Sequence, residues 1–201
     1  MSRTDPLARL TRVLSRLPGI GRRSGERIAL RLATGGGGLV GELIEALEEL
    51  RDRVVLCRAC GNLAIRGAEV CDVCADPRRA TGVLCVVQDP GALGLVEKSG
   101  SFRGRYHVLH GKLSPMRGQG PAQIRAEKLV ERVRAEGIRE VILALDADTE
   151  SDATGSYLQD QLRALDVHVF RLGFGLSAGS GIAYLDAVTL MRAMEGRQPI
   201  P

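Results

Sequence analysis

The sequence predicts a mixed α/β protein built from a helical N-terminal region, a four-cysteine segment, a parallel α/β domain and a closing helix. Three observations support this fold class: helical leucine spacing near the N-terminus, two C-x-x-C pairs, and short apolar runs alternating with helical patterns after residue 80. The 201 residues suit a medium domain with small appended modules. With 44% hydrophobic and only 3% aromatic residues, we expect an aliphatic core.

Helical periodicity dominates the first 53 residues. Leu7, Leu10, Leu14 and Leu17 recur at i, i+3, i+7 and i+10, the spacing of one helix face. We expect Ile28 and Leu32 to be buried by the second helix, and the third helix to have a charged outer face. Glycine-rich stretches predict the breaks between helices. The predicted elements are helices over residues 6–16, 24–33 and 39–53, a tight turn at 17–21 and a flexible loop at 35–38.

After residue 80, short apolar runs predict buried strands, and helices between them predict a mainly parallel sheet covered on both faces. Pro121 is expected to open a helix as its first residue, and Gly137 to end it. The predicted strands are 82–87, 106–109, 140–145 and 167–170; the predicted helices are 90–98, 121–137, 153–165 and 183–194.

Positive charge is concentrated at the N-terminus. Residues 1–33 hold eight arginines against Asp5 and Glu26, a balance of +6, so the rest of the +4 chain sums to −2. Such a distribution favours a polyanionic partner, and a merely solvated helix surface is the alternative. The chain has no run of 18 apolar residues and its N-terminus lacks an apolar signal segment, so a cytoplasmic protein is expected.

Four of the five cysteines form two C-x-x-C pairs, Cys57 with Cys60 and Cys71 with Cys74, separated by ten residues. Each pair can hold a metal from two corners of a tetrahedron, and soft thiolate ligands favour Zn²⁺. Because all four positions are cysteine, the site is predicted to be structural. Two redox-active pairs are the alternative. Cys85 falls on the first predicted core strand and is expected to be an inert buried thiol.

The turn Leu17-Pro18-Gly19-Ile20-Gly21 separates the first two helices. Gly19 and Gly21 allow backbone N–H groups to face a phosphate, and the following helix N-terminus adds the positive end of its dipole. Arg22, Arg23 and Arg27 supply charge beside it. This pattern is typical of a helix–hairpin–helix DNA-binding element, which contacts backbone rather than bases. A plain helical hairpin is the alternative.

An acidic run follows the third core strand, where α/β folds place their ligands. Its carboxylates could hold Mg²⁺, and a solvated loop or a docking face for a basic partner are the alternatives. The candidate residues are Asp146, Asp148, Glu150 and Asp152. No Ser/His or Cys/His arrangement indicates a nucleophile. His107 and His168 fall in strand patterns and are expected to be hydrogen-bonded structural residues.

These parts, in this order, resemble the RecR family of bacterial recombination mediators over about residues 7–197. The similar stretches are LSRLPGIGRRSGERIALRLA, CDVCADPRR, LCVVQDPGAL, EKSGSFRGRYHVLHGKLSPMRGQGP, EVILALDADTE and YLDAVTLMRAMEGR. The run RGRYHVLHGKLSPM is the most specific of them. The resemblance implies a Toprim-like domain after residue 80 and DNA contacts from Arg23 and Arg27. It also implies zinc ligation by the four paired cysteines.

The same resemblance implies a tetrameric ring that can encircle DNA. It implies partnership with RecO and RecF in displacing single-strand-binding protein and loading RecA. The implied modules are a helix–hairpin–helix region at 1–53, a four-cysteine zinc finger at 54–80, a Toprim-like domain at 81–172 and a C-terminal loop and helix at 173–201.

Some positions depart from the family pattern. Gln88 replaces a glutamate that catalytic Toprim enzymes need, which argues against phosphoryl-transfer chemistry. In contrast, Asp146 and Asp148 resemble the D-x-D of those enzymes. Ser177–Ser180 and Ala183 also differ from the family's C-terminal pattern. We therefore expect a DNA-binding adaptor without catalysis. A Mg²⁺-dependent nuclease using Asp146, Asp148 and Glu150, or a purely structural interaction protein, are the alternatives.

Overall fold

The computed structural model describes residues 5–35, 37–173 and 186–196. The chain divides into two compact units, Met1–Val54 and Val55–Pro201. The first unit is helical, and the second contains the cysteines and a parallel sheet, so the predicted mixed α/β fold class is confirmed. Within the described ranges, no helix is both long and apolar enough to cross a membrane.

The first unit contains three helices: α1 (Pro6–Leu14), α2 (Arg22–Thr34) and α3 (Gly37–Arg53). Asp5 caps α1 by accepting a 3.0 Å hydrogen bond from the N–H of Leu7. α1 and α2 approach closely at Gly25, because a Cβ atom placed there would lie 2.8 Å from Ser15 Oγ and 3.1 Å from the carbonyl oxygen of Thr11. A glycine is therefore what lets this helical hairpin close.

Two expectations for this unit were wrong. Ile28 and Leu32 are only half-buried, because α2 packs through its small residues Gly25 and Ala29, which lie one turn apart and are buried. The predicted loop at 35–38 is shorter, since Gly37 already starts α3. Gly36 lies outside the described residues.

A small two-stranded sheet of β1 (Val54–Leu56) and β2 (Leu63–Ile65) follows α3, and the single-turn helix α4 (Asp72–Ala75) comes next. The four paired cysteines and Ala64 form a small buried cluster within this segment. Few apolar side chains are available here, so the segment depends on something other than a hydrophobic core.

The main sheet has four parallel strands in the order β4-β3-β5-β6. One face of β3 packs Leu84 and Val86 into a core with α6 and α7, and the other packs Cys85 and Val87 toward α5. Helices thus cover both faces, as predicted. The elements are β3 (Val83–Val87), α5 (Pro90–Ser99), β4 (Arg105–Val108), α6 (Ala126–Ala135), β5 (Glu140–Ala144), α7 (Thr149–Leu162), β6 (His168–Arg171) and α8 (Ala187–Glu195).

Helix α6 begins at Ala126 rather than at Pro121. Pro121–Gln123 form one 3₁₀ turn, after which the backbone of Ile124 is extended to bury its side chain in the core. The N–H of Arg125 then bonds the carbonyl oxygen of Leu109 at 3.1 Å. A buried side chain and a backbone bond to the residue that follows β4 thus interrupt the helix that proline was expected to open.

Helix α7 begins at Thr149, not at residue 153. Asp148 caps it by accepting a 2.8 Å hydrogen bond from the N–H of Ser151. Half of the expected acidic loop is therefore the first turn of a helix. Helix α8 is described from Ala187; the first residues of its predicted span, and the departures at Ser177–Ser180 and Ala183, lie outside the described residues.

Candidate functional site

The turn between α1 and α2 leaves an open helix N-terminus. Gly19 has φ +78°, a conformation that favours glycine, and it is exposed. Gly21 is the N-cap of α2 and has no side chain with which to cap it. The N–H groups of the first turn therefore lack a side-chain acceptor, which is the condition for binding a phosphate oxygen.

The arginines of α2 are exposed and carry unneutralised charge. Arg22, Arg23 and Arg27 are all exposed, as expected. Arg31, which the hairpin motif alone did not single out, extends Arg23 and Arg27 at i+4 and i+8 along one helix face. Across the described ranges, none of these four arginines forms an ion pair. We call Arg23, Arg27 and Arg31 the arginine line.

The four paired cysteines form a candidate metal centre. Their Sγ atoms all lie within 4.8 Å of one another, and those of Cys60 and Cys71 are 3.5 Å apart. Four thiolates around Zn²⁺ at about 2.3 Å would be separated by about 3.8 Å. The cysteines are buried, so the donor set and its geometry both fit zinc. Among the described residues, this is the one group of three or more metal-ligating side chains close enough to share an ion.

Backbone N–H groups bond two of the sulfur atoms in this centre. The N–H groups of Asn62 and Cys71 each donate to a cysteine sulfur at 3.3 Å, to Cys60 and Cys57 respectively. The hydrogen bond from Cys60, followed by the charge of Arg132 against the opposing effect of burial, lowers the pKa of Cys74 to about 6. A lowered thiol pKa favours metal ligation at neutral pH.

The turn that contains the first cysteine pair, Cys57 and Cys60, is hydrogen-bonded to strand β4 and to the loop that follows β4. The N–H of Val108 donates to the carbonyl oxygen of Cys60 at 2.7 Å. His110 Nε2 lies 2.7 Å from the carbonyl oxygen of Gly61, and since that oxygen can only accept, Nε2 carries the proton. His110 holds φ +61°, which is unusual for a residue other than glycine. The contact thus fixes the start of the loop that carries Lys112.

The acidic residues after β5 are already paired within the chain. Lys112 Nζ lies 3.3 Å from Asp146 Oδ2 and 2.5 Å from Asp148 Oδ2. Gln88 Nε2 donates to Asp146 Oδ2 at 2.9 Å. The hydrogen bond from Lys112, and then that from the N–H of Ser151, lower the pKa of Asp148 to about 2. We call Gln88, Lys112, Asp146 and Asp148 the lysine-bridged edge.

The other two acidic candidates have different partners. Glu150 accepts a hydrogen bond from Ser114 and lies 3.4 Å from Arg117 Nη2. Asp152 pairs with Arg171 of β6 at 2.7 Å and with Arg192 of α8 at 3.0 Å. The structure therefore divides the predicted acidic constellation into three ion-paired groups. The sequence did not indicate that Lys112 and Arg117 pair with these carboxylates. Both residues lie more than 28 positions before the acidic run, and no local pattern links residues so far apart.

Three further residues were predicted to be structural. Cys85 is buried, and burial raises the pKa of its thiol to about 12, so it is inert as expected. His107 is buried with Nε2 2.9 Å from the carbonyl oxygen of Arg125, and burial lowers its pKa to about 3. His168 lies on β6 as expected, but its side chain is exposed, so it is not a hydrogen-bonded core residue.

Comparison with known proteins agrees with this architecture. A family profile described as "Toprim domain" matches residues 82–173, the range that holds the parallel sheet. A second profile, "RecR, C-terminal", matches residues 175–198. Recombination protein RecR of Rubrobacter xylanophilus is 46% identical over 192 residues, which cover 96% of each chain. That of Desulforudis audaxviator is 44% identical over the full length of both chains. That of Gloeobacter violaceus is 41% identical over 98% of this chain and 99% of the relative.

The chain belongs to the RecR family of recombination proteins. Family membership at this identity and coverage gives it a role in recombinational DNA repair.

Proposed function

We propose that the protein is a non-catalytic DNA-binding clamp subunit. In this proposal it acts with RecO and RecF to help load RecA on gapped or single-stranded DNA coated by single-strand-binding protein. The observation that carries the proposal is the arginine line, exposed and without ion pairs in the described chain, on a helix whose N-terminus has no side-chain cap. Such a surface holds phosphates rather than bases, so binding is independent of sequence and weakens with salt.

The direct test is binding to gapped duplexes of two unrelated sequences, measured by fluorescence anisotropy at low and moderate salt. We expect equal affinity for the two sequences and a steep loss of affinity with salt. Absence of binding at low salt would contradict the proposal and favour a purely structural interaction protein.

The proposal includes one structural Zn²⁺ per chain, held by Cys57, Cys60, Cys71 and Cys74. Because all four coordination positions are filled by protein, the metal would supply folding free energy rather than reactivity. Metal analysis of protein purified without chelator should give one zinc per chain. A metal-free preparation that is fully folded would contradict this part of the proposal.

Absence of catalysis is proposed from the lysine-bridged edge. A Toprim nuclease would need free carboxylates for Mg²⁺, whereas here Lys112 pairs with both Asp146 and Asp148. The amide of Gln88 cannot take up a proton as a carboxylate would. The purified protein should therefore leave plasmid DNA intact with Mg²⁺. Cleavage that Asp146→Ala abolishes would contradict this, and Gln88→Glu tests whether the missing carboxylate is the barrier.

A homotetrameric ring is proposed from the family resemblance and from helix α3. One face of α3 exposes a line of leucines: Leu39 at 46%, Leu43 at 41%, Leu47 at 62% and Leu50 at 57%. A second copy of the chain could bury such an apolar stripe. Sedimentation should show a tetramer that Leu43→Glu with Leu47→Glu dissociates. A monomeric wild-type protein would contradict the ring.

RecO and RecF are proposed as partners from the resemblance, with the nucleoid as the place of action. The exposed carboxylates of Asp146 and Asp148 could offer a docking face for a basic surface, although Lys112 neutralises part of their charge. A pull-down with RecO from the same source tests the partnership. We expect capture that salt weakens; no capture at low salt would contradict it.

A further inference from the structure

One buried cation connects the cysteine centre to the Toprim domain. The side chain of Arg132, on helix α6, is only 6% exposed. Its three kinds of N–H group have three partners: Nε bonds Glu136 at 2.6 Å, Nη1 bonds the carbonyl oxygen of Tyr106, and Nη2 lies 3.9 Å from Cys74 Sγ. One guanidinium thus contacts a helix end, a sheet strand and a predicted zinc ligand.

The charges of this network do not cancel. Glu136 also pairs with Arg105 of β4 at 3.0 Å. Two arginines share one carboxylate, so one positive charge remains, and Arg132 is the member that reaches sulfur. Four thiolates around Zn²⁺ carry a formal net charge of minus two, which is costly to bury without compensation. The excess positive charge therefore lies beside an excess negative charge.

We propose that Arg132 is a positioning residue of the metal centre: its guanidinium orients the sulfur of Cys74 and fixes the centre against strand β4. The inference rests on the zinc site of the proposed function. Groups that hydrogen-bond a metal ligand orient it, and their loss typically lowers metal affinity about 10- to 100-fold. Arginine suits the role because its planar fork can serve sulfur, carbonyl and carboxylate at once.

The test compares two double variants of the full-length protein. Arg132→Met with Glu136→Gln removes one cation and one anion, leaving no unpaired carboxylate. Arg105→Met with Glu136→Gln makes the same charge change without touching sulfur. Zinc affinity is measured by competition with a chromophoric chelator. Cobalt replaces zinc for a second readout, the energy of the thiolate-to-metal charge-transfer band.

We expect the Arg132 pair to bind zinc about 10- to 100-fold more weakly than the Arg105 pair. Its cobalt band should move to lower energy, because loss of the nearby cation makes the thiolate a better electron donor. Arg132→Lys, which keeps the charge but not the fork, should recover part of the affinity. Equal zinc affinity and equal band energy in the two double variants would overturn the inference.

Failure of the zinc proposal and failure of the positioning role give different results. If the wild-type protein holds no zinc, the zinc proposal itself fails. If it holds zinc and the Arg132 variants bind it unchanged, only the positioning role fails. Should the Arg132 double variant not fold, Arg132→Lys and Arg105→Lys are compared instead. A loss of zinc affinity confined to Arg132→Lys supports the inference, and an equal affinity overturns it.

Discussion

The helical hairpin and the carboxyl edge of the sheet both carry charge, but they use it differently. On α2, Arg23 and Arg27 are exposed and form no ion pair within the described chain. At the sheet edge, Asp146 and Asp148 share Lys112. Charge left unpaired is available to a partner, whereas charge paired internally stabilises a loop. In the proposed function, DNA affinity would therefore come from the hairpin, whereas the paired carboxylates of the sheet edge would have a structural role.

Loss of one zinc ligand should have the largest effect, and it should destabilise the sheet region but not the helical hairpin. Cys71→Ser should lower the free energy of unfolding by more than about 4 kcal/mol, because structural zinc supplies roughly 10–16 kcal/mol in zinc-finger peptides. The sheet region should lose protection from hydrogen exchange, since Cys60 and Gly61 bond Val108 and His110. Hydrogen exchange in α1 and α2 should change little. Equal loss of protection in both regions would contradict the expectation that the metal centre stabilises the sheet region and not the helical hairpin.

A glycine pair tests how the hairpin closes. Gly25→Ala should destabilise the protein by about 1–3 kcal/mol, because its Cβ would displace Ser15 Oγ from its bond to the Thr11 carbonyl and press against that carbonyl oxygen. Gly41→Ala on α3 is the matched control. No atom lies within 4 Å of its Cβ position, so better helix propensity should stabilise it by about 0.5–1 kcal/mol. Urea unfolding measures both; the same sign of change for the two variants would show that the close approach at Gly25 is not tight.

Removal of Lys112 from the lysine-bridged edge should have a smaller effect on stability. Lys112 holds the pKa of Asp148 at about 2, below its ordinary 3.8. A depressed carboxyl pKa contributes stability at neutral pH, and that contribution is lost as pH falls from about 4 to about 2. Asp148 is 47% exposed, so Lys112→Met should cost no more than about 1 kcal/mol at pH 7.

The carboxyl carbon of Asp148 reports this pairing directly by NMR between pH 7 and pH 4. In the wild-type protein the signal should stay that of the ionised form. In Lys112→Met it should begin to titrate as pH approaches 4. An unchanged signal in the variant would show that Lys112 is not the group that lowers this pKa.

The sequence predicted the parts with local signals. Cysteine spacing identified the metal-centre candidates Cys57, Cys60, Cys71 and Cys74, and apolar runs identified all four strands of the parallel sheet within two residues. The predicted start of α7 was too late, because a run of acidic residues is typical of a loop and the sequence did not show that Asp148 caps the helix. The role of Lys112, and the contacts of Arg132 with Tyr106 and Cys74, could not be found, since the fold alone brings these partners together.

The main proposal is that DNA affinity comes from phosphate contacts of the arginine line. Its most direct test is a salt titration of DNA binding by the wild-type protein and by Arg23→Ala with Arg27→Ala, on two unrelated sequences. Circular dichroism and zinc content serve as controls for the fold. Each neutralised phosphate contributes a slope of roughly 0.7–0.9 in log affinity against log salt. The double variant should lose affinity equally on both sequences and flatten the slope by about one to two units per chain. A folded variant with unchanged affinity and slope would mean that DNA is held elsewhere and that the arginine line is only a solvated surface.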